Sequence, residues 1–445
     1  MNYDTFLRFI FPDGMFDYFE MVQFNEFTDK VEIYFEEKNN PPEEYKNDKL
    51  ESKGFYEEVR MYDYPMRGRS CILYIKKRRW FNHTQNKYVS RNWKHMAEGT
   101  QISSEFASFL KVLSHKLWID SRAISISSLA EHYRLDAKQL ESQYKNHLSN
   151  YREWEQLPHA QDWILFEKNI GAYVGLDETS LSRGELYTIL INKEAKGKKG
   201  SIIAMIKGTD VKTVSNVLLK LSRKRRFQVR EITLDIASNM NQIARVCFPG
   251  AKQVIDRFHV QQLAFEAVQE MRIKARWEAM DKENIEISHS KACGIQYKPS
   301  VFENGDTNKQ LLARSRYLLF KKETAWNSSQ SKRATILFRE YPDIKKAYYL
   351  SMRLGLIYHQ SRHADVALTK LAHWYDEVDK SGFLSFGTVA RTIQTHYLRI
   401  VAFFRNRATN AASESFNAKI KQFRAQLRGV RDISFFLFRL SKIYA

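Results

Sequence analysis

Two short apolar runs, each delivering an aspartate, constrain the fold of this chain more than any other feature. Val174-Gly175-Leu176-Asp177-Glu178-Thr179-Ser180 and Glu231-Ile232-Thr233-Leu234-Asp235-Ile236-Ala237-Ser238 are too short for core helices, and both read as buried strands that end on a carboxylate. The stretch around them alternates. Strands are expected at 172–176, 186–192 and 201–207, with the basic, glycine-bearing Lys196-Gly197-Lys198-Lys199-Gly200 as the hairpin turn between the second and third. A helix is expected over 211–224, then a strand over 229–236. A short helix over 239–248, ended by Pro249-Gly250, leads to a further strand, Gln253-Val254-Ile255-Asp256, with an acid at its end.

Far downstream, Asn410-Ala411-Ala412-Ser413-Glu414-Ser415-Phe416-Asn417 offers a carboxylate in a helical setting. Three strands, a helix, an acid-bearing strand and a final acid-bearing helix follow the order of an RNase H-like fold. In that fold the first strand lies mid-sheet with the strand after the first helix beside it, so Asp177 and Asp235 are expected to meet. The intervening block, from about 262 to 405, is helix-rich and basic; it carries Arg314-Ser315-Arg316-Tyr317-Leu318-Leu319-Phe320-Lys321-Lys322 and Trp326, and reads as an insertion. The expected class is α/β. An RNase H-like catalytic domain (165–261 and last helices 406–445) holds a large helical insertion (262–405). It is preceded by a small α+β N-terminal module (1–95) and a helical helix-turn-helix DNA-binding domain (96–150).

Charge says what such a protein meets. Lys and Arg outnumber Asp and Glu by 71 to 51, a net +20 that points to a polyanion, nucleic acid before membrane. Residues 10–60 run against this trend, acidic and aromatic, with a strand expected at 31–35; such a surface suits a protein contact. The charge reverses near 61 and culminates in Cys71-Ile72-Leu73-Tyr74-Ile75-Lys76-Lys77-Arg78-Arg79-Trp80. Lys76, Lys77, Arg78 and Arg79 would hold phosphates, the alternative being a solvated strand end beside a core tryptophan. Farther on, 127–133 reads as a helix, Arg134-Leu135 as a turn, and Asp136 as the cap of a second helix, with Gln139 in the reciprocal capping position. Leu129, Ala130, Tyr133, Leu135, Leu140 and Tyr144 would face inward. Lys138, Gln139, Ser142 and Lys145 would face out, toward a major groove.

Several of these segments also resemble a known family. Ile232-Thr233-Leu234-Asp235, Phe248-Pro249-Gly250-Ala251, Val254-Ile255-Asp256-Arg257-Phe258-His259-Val260-Gln261, Arg316-Tyr317-Leu318-Leu319 with Trp326, and Asn410 through Glu414 and Asn417 to Ile420-Lys421 resemble, in that order, the ISL3 group of bacterial insertion-sequence transposases of the DDE class. The resemblance covers roughly 170–430 and implies that Asp177, Asp235 and Glu414 are the catalytic acids. They would hold two divalent ions, Mg2+ or Mn2+, about 3.5–4 Å apart: Asp177 bridging, Asp235 on one ion and Glu414 on the other. Water would nick the element's end and the freed 3′-OH would attack target DNA. Glu178 competes for the first position, and Asp432 or Glu377 for the third. Asp256, Arg257 and His259 would assist by positioning a phosphate or a metal-bound water, although His259 would serve equally well as a neutral hydrogen-bonding residue.

Arg314 and Arg316 would line the DNA path, and Trp326 would stack on an extruded base unless it is simply buried. Lys419, Lys421, Arg424 and Arg428 would run along one side of the last helix, toward the DNA backbone. The implied partners are double-stranded DNA, as terminal inverted repeats and as target, and a second copy of the chain, because two ends must be held together. A site-specific repressor that keeps the fold without catalysis, or an RNase H-like nuclease without strand transfer, remains open.

Many relatives carry an N-terminal zinc ribbon, whereas Cys71, Cys247 and Cys293 are widely spaced and form no CxxC pair. The start lacks the layout of a signal peptide, and no apolar run approaches the length needed to cross a bilayer. A soluble protein of the bacterial cytoplasm, associated with the nucleoid, is expected.

Overall fold

A computed structural model describes residues 3–119, 125–182, 184–427 and 429–445. The chain divides into two compact units, one of residues 1–164 with 419–443 and the other of residues 165–418 with 444–445.

In the first unit, strands Phe19–Glu26, Lys30–Glu37, Arg69–Lys76 and Val59–Met66 form a sheet in that order; the middle pair is parallel and the outer pairs are antiparallel. Alternation along Lys30–Glu37 and Arg69–Lys76 turns Val31, Ile33, Phe35, Cys71, Leu73 and Ile75 into one core with Phe11, Met15 and Phe19. The cysteine serves here as an apolar core residue. A second sheet joins Leu50–Phe55, Arg78–Asn82 and Lys87–Val89.

Helices Ser104–Ile119, Ile126–His132 and Ala137–Gln143 follow. Ser125 and Asp136 cap the last two by accepting the backbone N–H of Ser128 (3.0 Å) and Gln139 (2.7 Å), and Arg134 takes the left-handed conformation in the turn between them. The reciprocal half of the expected capping box does not form, and Gln139 Nε2 donates to Gln101 Oε1 at 2.9 Å. Leu129, Ala130, Leu140 and Tyr144 are buried as expected from their spacing, with Tyr133 and Leu135 packed against them. Phe435 and Phe438, from the helix Ile433–Tyr444, complete this core. The grouping of 406–445 with the acid-bearing strands therefore changes: the tail from 419 to 443 belongs to this first unit, its aromatic face buried among the N-terminal helices.

The second unit is built on a mixed sheet. Five of its strands run in the order Lys252–Ile255, Glu231–Leu234, Tyr173–Ser182, Glu185–Asn192 and Ile202–Lys207. The first three are parallel to one another, and the last two continue by antiparallel pairing. The central strand is thus the one that carries Asp177, and the Asp235 strand lies against it. Helices Val211–Leu218, Arg223–Gln228 and Ser238–Cys247 connect the strands. The single helix expected over 211–224 is broken where Ser222 caps a second one. The helical block begins at Arg257, earlier than the expected 262, with the 36-residue helix Arg257–Ala292. Asn308–Arg314, Pro342–Gln360 and Leu384–Thr395 pack with it, and Ala364–Ser381 packs against Pro342–Gln360.

Candidate functional site

Asp177 does not end its strand. The Tyr173–Ser182 strand runs on past it as one arm of a hairpin, with Asp177 opposite Ile189, so the acid sits mid-strand at the centre of the sheet. Asp235 is the first residue beyond Glu231–Leu234. The parallel register that sets Thr233 opposite Gly175 brings Asp235 level with Asp177 two residues on.

The helix Ala411–Gln426 supplies the third acid, and the sequence allows its approach at one point, Gly175. A Cβ there would stand 2.2 Å from Ser413 Oγ and 3.1 Å from Asn410 Oδ1, so glycine is required for helix and strand to meet so closely. Two amides then tie them together. Asn417 Nδ2 donates to Asp177 Oδ2 at 3.0 Å and to the Glu178 carbonyl at 3.1 Å, and Asn410 Nδ2 donates to Asp177 Oδ2 at 3.3 Å. Asn410, Glu414 and Asn417 recur at i, i+4 and i+7, one face of a helix. That spacing was visible in the sequence, yet only Glu414 was singled out from it as a site residue.

Asp256 anchors the same helix start. It is 2% exposed; one oxygen accepts the backbone N–H of Phe258 at 3.1 Å and the other that of Asn410 at 2.8 Å. Both oxygens are thus engaged by the backbone, which makes Asp256 a clamp between the last strand and the Glu414 helix. His259, one helical turn on, sets Nδ1 3.1 Å from Asp235 Oδ1, and its buried Nε2 has no partner. Arg257 lies over the Phe403 ring, 5.9 Å from its centroid.

The electrostatics single out Asp177. Burial, reinforced by the neighbouring Asp235 and Glu414 charges, pushes its carboxyl up to about 6, against the lowering effects of the Glu178 N–H and of His259. Among the described residues, no Lys or Arg forms an ion pair with Asp177, Asp235, Asp256 or Glu414. The acids competing for the third position are committed elsewhere: Glu377 pairs with Arg353, and Asp432 pairs with Lys145 at 2.5 Å and caps the next helix. Among the described residues, no three His, Cys or carboxylate side chains are gathered as a ready-made metal cluster. The donor set of Asp177, Asp235 and Glu414 still has the chemistry that a hard dication takes: oxygen ligands, concentrated negative charge and no cation already neutralising it.

Residues 174–440 match the family described as Transposase, the ISL3 group. The chain belongs to the ISL3 transposase family. The transposase for insertion sequence element IS1557 of Mycobacterium tuberculosis, in two strains, is 24% identical over 268 residues, 59% of each chain. The aligned part thus spans about three fifths of the length of these curated relatives.

The cations expected to contact DNA have varied fates in this family member. Lys76 pairs with Glu36 at 3.2 Å. Lys77 is half-buried, its amine pulled below the usual lysine range by that burial. Arg78 binds the Glu37 carbonyl and Ser52, and Arg79 the Lys53 carbonyl while lying over Tyr88. Lys138 and Ser142 are exposed, whereas Gln139 and Lys145 are half-buried and bonded within the first unit. Arg314 and Arg333 converge on the buried Asp306, and Arg316 is exposed beside Tyr317.

Trp326 is a packing element. Its indole N–H donates to the Leu318 carbonyl at 2.8 Å and its half-buried ring sits beside Phe338 and Tyr348. Lys421 is exposed on the Ala411–Gln426 helix; Lys419 and Arg424 are half-buried there, and Arg428 lies outside the described residues. Among the described residues, no helix is long and apolar enough to cross a membrane.

Proposed function

We propose that this chain is a DNA transposase that binds the terminal inverted repeats of its insertion sequence, cleaves the ends by metal-dependent hydrolysis and joins the 3′-OH to target DNA. The observation that carries this reading is the amide clamp of Asn410 and Asn417 on Asp177, which registers the Glu414 helix against the two central parallel strands. Strand order supports an RNase H-like reading of the second unit, in which Asp177, Asp235 and Glu414 are the catalytic acids.

These three residues would hold divalent magnesium or manganese, which supplies Lewis acidity and a nucleophile at neutral pH. Asn417 and Asn410 hold one Asp177 oxygen in place while the Glu178 N–H holds the other. His259 orients Asp235 through Nδ1. The two capped helices at 126–143 are the better DNA reader, through Lys138 and Ser142, and two copies of the chain would pair two element ends.

The test is cleavage and strand transfer on DNA carrying the element's ends, with magnesium or manganese. Asp177→Ala, Asp235→Ala and Glu414→Ala should each lower the rate by about two to three orders of magnitude, the scale of single groups that act on the transition state. Cleavage that survives all three substitutions removes the site assignment, and end-specific binding without cleavage by the wild type would make the chain a repressor.

A further inference from the structure

The helix Tyr3–Ile10 lies on the core of the N-terminal sheet through Leu7 and Ile10, which pack against the cluster that holds Ile33 and Phe35. Its other apolar residues, Phe6 and Phe9, are 59% and 87% exposed. The helix thus carries a wider apolar arc than the sheet covers. The strand Phe19–Glu26 shows the same excess. Its register sets Met21 opposite Phe35 and Phe24 opposite Ile33, so both stand on the core side of the sheet, yet each is about half exposed. Val22 and Phe27, beside them in the chain, are exposed to a similar degree. The core therefore runs out to the edge of the sheet without a cover, and the outer side of this strand pairs with no other strand among the described residues.

The occupant follows from charge, register and area. Residues 8–37 hold eight acids against two cations, which repels a phosphate backbone. An extended peptide would have to continue the hydrogen-bond ladder, and a bulge between Met21 and Gln23 breaks the register of this edge strand. A folded protein face is the surface that fits. Two charged neighbours of the patch are already answered, Asp17 by Arg8 and Glu26 by Arg69, so a copy with the same charges can approach. Phe6, Phe9, Phe24 and Phe27 together expose roughly 500 Å², taking about 200 Å² for a whole side chain. A homodimer of standard size buries about 800 Å² on each partner, about 65% of it apolar, which is the same area. We propose that this face packs against itself in a second copy of the chain, about a two-fold axis, with Phe9 and Phe24 as its anchors. The inference rests on the reading above for its purpose, because it gives the pairing of two element ends a protein surface.

The test is sedimentation equilibrium of the full chain without DNA, followed by end cleavage with magnesium. The wild type should pass from monomer to dimer as its concentration rises. Phe9→Ser and Phe24→Ser replace exposed side chains, so their melting temperatures should hold. Each should weaken the dimer about 10- to 100-fold, the scale of burying one such side chain.

A wild type that stays monomeric at every concentration overturns the proposal, whether or not it cuts DNA. A dimer that neither substitution weakens lies on another surface and overturns it too, as does growth beyond the dimer into open-ended assemblies. A dimer that both substitutions disperse, in a protein that cleaves no DNA, supports this surface and sinks the DNA-cleaving reading instead.

Discussion

Acidic side chains are treated in opposite ways in the two units. In the N-terminal sheets several carboxylates are answered by a cation, Glu32 by Lys30, Glu36 by Lys76, Glu26 by Arg69, and the fully buried Glu37 by Arg91 at 3.1 Å, while the buried Asp63 is held by the Ser103 hydroxyl at 2.6 Å. At the centre of the second unit, Asp177 is held by neutral amides and Asp235 by an imidazole, and no Lys or Arg among the described residues pairs with them or with Glu414. The paired acids of the first unit are neutralised by cations where they stand, whereas the three acids proposed to receive a dication are left without one. Of the acids in residues 10–60, Asp17, Glu26, Glu32, Glu36, Glu37 and Glu51 pair with neighbouring cations.

The comparison makes predictions of opposite sign. Removing a paired acid should weaken the protein: Glu37→Ala strands Arg91, which is 6% exposed, and should cost about 3–5 kcal/mol, read as a fall in the denaturation midpoint. Removing an unpaired one should do the reverse. Asp177 titrates in the fold at about 6, above the ordinary 3.8. Its contribution therefore favours the fold while it is protonated; it is fully present below about pH 4 and lost as the pH rises through about 6. In metal-free buffer Asp177→Asn, which does not titrate, should gain on the wild type by up to about 3 kcal/mol between pH 4 and pH 7.5. A stability difference that stays constant across this range would break the contrast.

A smaller effect tests the clamp. Asn417→Ala removes an amide that orients a proposed ligand without being one, and should lower metal affinity about 10- to 100-fold while the fold persists. An unchanged affinity would make Asn417 a packing residue only.

Much of the second unit could be read from the sequence because strand order is written in apolar runs: 174–176, 186–191 and 202–206 alternate with polar breaks, and the acids follow. The extent of Asp177's strand could not be read this way. Glu178, Thr179 and Ser180 look like a turn, and only pairing with Glu185–Asn192 keeps them extended. The clamp was half visible, as the spacing of Asn410, Glu414 and Asn417, but its target lies more than two hundred residues away and depends on Gly175 admitting the helix. Asp256 looked like a fourth site acid because a strand-end carboxylate and a helix cap have the same sequence signature. The partners that Trp326 and the cations at 76–79 find within the fold could not be read for one shared reason: composition reports which groups exist, whereas tertiary packing decides which are already engaged. The destination of Phe435 and Phe438 was hidden likewise, since an amphipathic helix does not name its partner.

The most direct measurement of the central claim is calorimetric titration of manganese into the metal-free protein, alongside Asp177→Asn, Asp235→Asn and Glu414→Gln. Saturable binding by the wild type that is lost in each variant is the predicted result. Undiminished binding in a protein carrying all three substitutions would contradict it.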